Sequence, residues 1–172
     1  MAAELEHWHD FYLLLGTAGA TLVALLFVAV SLGTGFLTEE RAAATRAFFS
    51  PVVIHFTEIF LISATALIPS HKTIFFAVLI GAFAAAGLSV AAYATIQLVR
   101  NAWTNYFEDY LCYGVLPAIG YLALLAAAVL ILTEREFGLD FLAGGLLLLL
   151  SVNIRNAWDL MLSMVRRPRA PE

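Results

Sequence analysis

Within the apolar stretch VVIHFTEIFL, residues 52–61, His55 and Glu58 stand three positions apart. On a helix that spacing puts both on one face, and the same face continues through Ile62 and Thr65. An imidazole and a carboxyl so placed can exchange a proton, attract a cation or pin two helices together. A charge at membrane depth costs about 2.5–3.5 kcal/mol on insertion scales, so such groups normally face protein or water and serve a function.

Two other clusters have residue types capable of chemistry. HWHD places His7, His9 and Asp10 together near the N-terminus, with His71 expected at the same membrane face. Imidazoles there could sense pH or hold a transition metal, and an ordinary interfacial terminus is the plainer alternative. The tetrapeptide RNAW occurs twice, as Arg100, Asn101 and Trp103 and again as Arg155, Asn156 and Trp158. Arginine that snorkels and tryptophan at the headgroups would account for both copies.

The elements that position these groups follow from composition. Of 172 residues 62% are hydrophobic and 13% charged, with mean hydropathy +0.90, which excludes an ordinary soluble domain. The apolar runs are continuous rather than alternating, so the spans are helices and not barrel strands. The expected fold is an all-α integral membrane protein, a single domain of five transmembrane helices at about 10–36, 47–68, 73–100, 111–132 and 138–164. The acidic start, MAAELEHWHD, is unlike a basic signal peptide, so the first span is expected to be retained. Ser50 and Pro51 could begin a helix or lie within a kinked one.

Seven arginines (41, 46, 100, 155, 166, 167 and 169) fall on one side of these spans, and Lys72 and Arg135 on the other. The positive-inside rule then puts the N-terminus outside and the C-terminus in the cytoplasm, as in a bacterial inner membrane. Pro51 and Pro117 stand near the starts of spans two and four, so the chain reads as one helix followed by two related hairpins. Four and seven residues after Pro51 are His55 and Glu58; at the same offsets after Pro117 are Tyr121 and Leu124. The ionisable pair is therefore expected once per chain.

Small residues suggest close helix contacts: Gly16, Ala20 and Ala24 in span one, and Gly81, Ala85, Gly87 and Ala91 in span three. Polar lines, Thr17, Thr21 and Ser31 in span one and Ser89, Tyr93, Gln97 and Arg100 in span three, are better explained by backbone or interhelical hydrogen bonding than by a water path. The single cysteine, Cys112, rules out an intrachain disulfide and a thiolate cluster. No nucleophile–base pair, phosphate-binding glycine loop or two-histidine metal motif occurs, so neither an enzyme nor a resident cofactor is expected. Nor is there a basic surface for nucleic acid.

The function expected from these residues is a homo-oligomeric ion channel in the lipid bilayer, conducting inorganic cations. Its path would use Glu58, His55, Ile62 and Thr65, and outer histidines would give it pH sensitivity. The alternatives are an accessory protein that modulates a membrane partner and, third, a proton-coupled transporter.

Overall fold

The computed structural model describes residues 2–33, 39–68, 72–101 and 107–165, and side chains within 5–29, 31, 50–68, 72–100 and 107–162. Every regular element among them is helical: α1 (Ala2–His7), α2 (His9–Gly33), α3 (Glu39–Ala66), α4 (Thr73–Asn101), α5 (Phe107–Tyr110), a π-helical turn (Leu111–Val115), α6 (Leu116–Leu132) and α7 (Gly138–Val165). The chain is an all-α membrane bundle. Four stretches, His9–Ala29, Thr73–Arg100, Phe107–Leu132 and Gly138–Leu162, are long and apolar enough to cross a membrane. The apolar part of α3, Ser50–Ala66, is shorter and sits at the lower limit of the roughly 17–25 residues a span requires.

Four helices form a ring in which α3 packs on α4, α4 on α6, α6 on α7 and α7 back on α3; α2 lies outside the ring, mainly against α3. Thus α3 and α6 face each other diagonally across the centre. They correspond closely. From Pro51 to the end of α3 at Ala66, and from Pro117 to the end of α6 at Leu132, is the same number of residues. Positions 51, 55, 58 and 62 are buried on α3, and 117, 121, 124 and 128 on α6.

The two prolines are accommodated differently. Proline has no N–H to donate, and its ring crowds the carbonyl four residues earlier. Helix α3 nevertheless continues through Pro51, which selects the continuous helix over a new start at Ser50. Ahead of Pro117 the backbone widens into the π-helical turn, where the Leu116 N–H bonds to the Leu111 carbonyl. A π-turn inserts one extra residue and relieves that crowding without ending the helix.

Glycines set the closest approaches. A Cβ at Gly16 would stand 3.2 Å from Ser63 Cβ, and one at Gly19 3.0 Å from the Phe56 carbonyl oxygen. The α2–α3 contact therefore uses Gly16 and Gly19, whereas Ala20 and Ala24 of the expected ridge are exposed. Thr17, Thr21, Ser31 and Ser89 are also exposed, each hydroxyl donating to a carbonyl one turn back in its own helix. That disposes of their hydrogen-bonding demand without a water path.

Candidate functional site

Deep in the ring, His55 and Glu58 of α3 meet Tyr121 of α6. The Tyr121 hydroxyl donates a short hydrogen bond to Glu58 Oε2 and shares another with His55 Nδ1. His55 Nδ1 and Glu58 Oε2 are themselves 4.0 Å apart. A phenol has one proton: with Glu58 ionised it goes to Oε2 and Nδ1 is the donor toward Tyr121, and with Glu58 as the acid both bonds reverse, the imidazole's role following its tautomer. In the ionised state the chain runs Nδ1–H to Oη–H to Oε2. The imidazole and phenol rings lie 5.1 Å apart, tilted by 48°.

All three side chains are buried: Tyr121 completely, His55 to 2% exposure and Glu58 to 6%. Isolated charges would be costly there, but a cluster that pairs and hydrogen-bonds them is tolerated. The triad has no net charge in either of two states, imidazolium with carboxylate or imidazole with carboxylic acid. A proton can change sides without altering the total charge of the core.

Helix α4 closes the site with Gly87. A Cβ at that position would overlap the Tyr121 ring and stand 2.5 Å from Glu58 Oε2. The gap between α4 and the triad is thus filled by the triad itself, and any side chain at position 87 would displace it. The register is fixed on both sides, by Gly81 facing Ala128 toward one end and Gly114 facing Thr95 toward the other.

The remaining expected residues are distributed as follows. Ile62 is buried beside the triad's face of α3, and Thr65, half-buried, returns its hydroxyl to the Leu61 carbonyl. His7, His9 and Asp10 are exposed, with His9 Nδ1 3.2 Å from Asp10 Oδ1; His71 lies outside the described residues. Among the described residues no three His, Cys, Asp or Glu side chains converge as a metal site would require. Arg100 is exposed at the end of α4, while Trp103 and the side chain of Asn101 lie outside the described residues.

The second RNAW copy does more than anchor an interface. Trp158 is exposed, but Asn156 is buried and donates from Nδ2 to the Cys112 carbonyl of the π-turn, at 2.8 Å. Tyr113 donates back to the Asn156 carbonyl, and Arg155 lies 3.5 Å from Glu108. α7 is thereby fastened to the irregular start of the helix that holds Tyr121.

Sequence reasoning placed Tyr121 at the position matching His55 but did not join the two, and it read Gly87 only as a packing residue. Asn153 was missed altogether. It is fully buried on α7, its Nδ2 bonds back to the Leu149 carbonyl, and its Oδ1 has no partner. Its signal was available: an amide inside the apolar run LLLLLSVNI. Compared with family models, with curated proteins and with solved structures, the chain matches none of them.

Proposed function

We propose that this protein moves protons across a membrane through the His55–Tyr121–Glu58 chain, either as a proton path or as the proton-coupling element of a transporter. The observation that carries the reading is the unbroken hydrogen-bonded run from imidazole to carboxylate through one phenol. A proton leaves Nδ1 for Oη as the phenolic proton passes to Oε2. Tyr121 is restored, His55 becomes neutral and Glu58 becomes the acid. The chain is ready again once Glu58 has released its proton, the Tyr121 hydroxyl has rotated back toward Glu58, and the His55 ring has turned so that its remaining N–H faces Tyr121 and its bare nitrogen has taken up a new proton.

Crowding favours protons over larger cations. Glu58 Oε2 is enclosed by Tyr121 and the Gly87 backbone, so a hydrated ion has no room beside it. A ring of Glu58 carboxylates around an axis shared by several copies has less support, because His55, Glu58 and Ile62 are all buried within one chain.

The test is proton flux into liposomes that contain the purified protein, driven by a potassium diffusion potential, with Tyr121→Phe and Glu58→Gln alongside. Wild-type flux that falls roughly tenfold or more in Tyr121→Phe, the scale of one charge-assisted hydrogen bond, supports the relay. No proton flux from folded wild type, or sodium or potassium flux indifferent to Tyr121→Phe, overturns it.

A further inference from the structure

The Cys112 carbonyl of the π-turn has no donor in its own helix. In an α-helix a carbonyl accepts from the N–H four residues on, and in a π-helix from the N–H five residues on. For Cys112 these are Leu116 and Pro117. The Leu116 N–H goes to the Leu111 carbonyl, and Pro117 has no N–H. Asn156 of α7, 1% exposed, supplies what is missing: its Nδ2 donates to the Cys112 carbonyl at 2.8 Å.

Each register open to this segment therefore has its own cost. The α register would give Cys112 its backbone donor but press the Pro117 ring against the Tyr113 carbonyl. The π register relieves that crowding and orphans the Cys112 carbonyl, which is unfavourable in an apolar core. One amide on α7 removes the second cost and so selects the π register.

The choice bears on the triad because a π-turn holds one residue more than the α-helix it interrupts. One residue is roughly 100° of helix rotation. The segment ahead of α6 is held to its neighbours at three points. Tyr113 donates to the Asn156 carbonyl at 3.2 Å, a Cβ at Gly114 would stand 2.5 Å from Thr95 Oγ1 on α4, and Arg155 lies 3.5 Å from Glu108. With those contacts kept, the α register would set Gly120 where Tyr121 now stands. Tyr121 would take the direction of Leu122, which is 54% exposed, and its hydroxyl would reach neither His55 nor Glu58.

Resting on the proton-relay reading, we propose that Asn156 is a positioning residue for the relay: its amide replaces the N–H that Pro117 lacks, holds the π register, and thereby aims Tyr121 at His55 and Glu58. It acts on the triad through the backbone of the turn.

The test measures unfolding in detergent, proton flux into liposomes and the nitrogen-15 resonance of His55 Nδ1, the atom bonded to Tyr121, all in the full-length protein. The variants are Asn156→Leu, Pro117→Ala and the two combined. Asn156→Leu alone is expected to lower the folding equilibrium constant about tenfold, to displace the Nδ1 resonance and to reduce flux about tenfold. In the Pro117→Ala background an N–H is again present at position 117 and the ring no longer crowds Tyr113. There Asn156→Leu is expected to lower the folding constant by less than about threefold. Nothing then selects the π register, so Nδ1 stays displaced and flux stays about tenfold below that of Pro117→Ala alone. Stability that returns while the aim of Tyr121 does not is a result that packing by Asn156 would not give. An equal loss of stability in both backgrounds overturns the replacement of one amide by the other. An Nδ1 resonance that moves in neither Asn156→Leu variant overturns the positioning role; it is the outcome if the segment ahead of α6 turns instead and Asp109 takes the place of Glu108 opposite Arg155. If Asn156→Leu alone does not fold, the double variant carries the test. A displaced Nδ1 resonance in a protein that shows no wild-type flux supports the positioning of Tyr121 and overturns only the relay.

Discussion

The two hairpins, α3–α4 and α6–α7, share a scaffold and differ in what they present at its centre. Four residues after its proline, the first offers His55 and the second Tyr121; seven residues after, the first offers Glu58 and the second Leu124. One hairpin supplies both groups that change charge, and the other supplies the neutral hydroxyl that joins them. Two copies of the first would bring two imidazoles and two carboxylates into one apolar core, where like charges repel at short range. The difference teaches that a near-repeat can be specialised so that the site is complete once.

That contrast can be broken most severely at the glycines. Gly87→Ala places a methyl group in the Tyr121 ring and against Glu58, so it is expected to cost about 1–3 kcal/mol in detergent unfolding and to abolish flux. Gly120→Ala in the other hairpin meets the buried Leu149 side chain instead, Cγ at 2.7 Å and Cδ2 at 2.8 Å, so it is expected to cost stability on the same scale, about 1–3 kcal/mol, but to leave flux through the folded protein unchanged. Flux abolished equally in both variants would mean that the triad is not what Gly87 protects.

A smaller effect is expected from Tyr121→Phe. It leaves Nδ1 and Oε2 buried without their shared partner, and membrane hydrogen bonds put the loss near 1–2 kcal/mol. The same unfolding measurement serves. Exchanging the two sides sharpens the comparison further: the double variant His55→Tyr with Tyr121→His is expected to be more stable than the two single changes sum to, by about 1 kcal/mol of coupling. Strict additivity would mean that positions 55 and 121 do not act as a pair.

The smallest expected effect lies outside the site. Glu134 ends α6 with φ of 54°, and the Arg135 N–H bonds to the Leu130 carbonyl at 2.9 Å, while the Glu134 N–H bonds to that of Ile131. This is a Schellman ending with a glutamate where glycine is usual. Glu134→Gly relieves the left-handed strain and is expected to stabilise the second hairpin by about 0.5–1 kcal/mol, with flux unchanged. The connection of the first hairpin has no such position among the described residues.

Much of the architecture was legible in the sequence because apolar length alone specifies a membrane helix. The expected spans 73–100 and 138–164 differ from α4 and α7 by a residue at one end. Within 111–132 the π-turn went unseen, since Pro117 announces a backbone problem without saying which of several adjustments solves it. The site was half legible. His55 and Glu58 stood out because charge is rare among apolar residues. Their meeting with Tyr121 depends on the rotation of α6 about its own axis. A helix apolar on every side gives no periodicity from which to read that rotation. Asn153 escaped for the same reason: one amide on a leucine-rich helix does not reveal which face the fold will turn inward.

The separation of 4.0 Å between His55 Nδ1 and Glu58 Oε2 also has an electrical meaning. A unit charge crossing the whole membrane gains about 2.3 kcal/mol per 100 mV, and the hydrocarbon core is about 30 Å thick. A proton passed along the triad traverses at most about an eighth of that field, worth roughly 0.3 kcal/mol per 100 mV. Such a transfer would therefore be nearly blind to voltage. Steep voltage dependence in a flux measurement would have to arise in the longer approaches on either side, so the current–voltage curve would report on those approaches rather than on the triad.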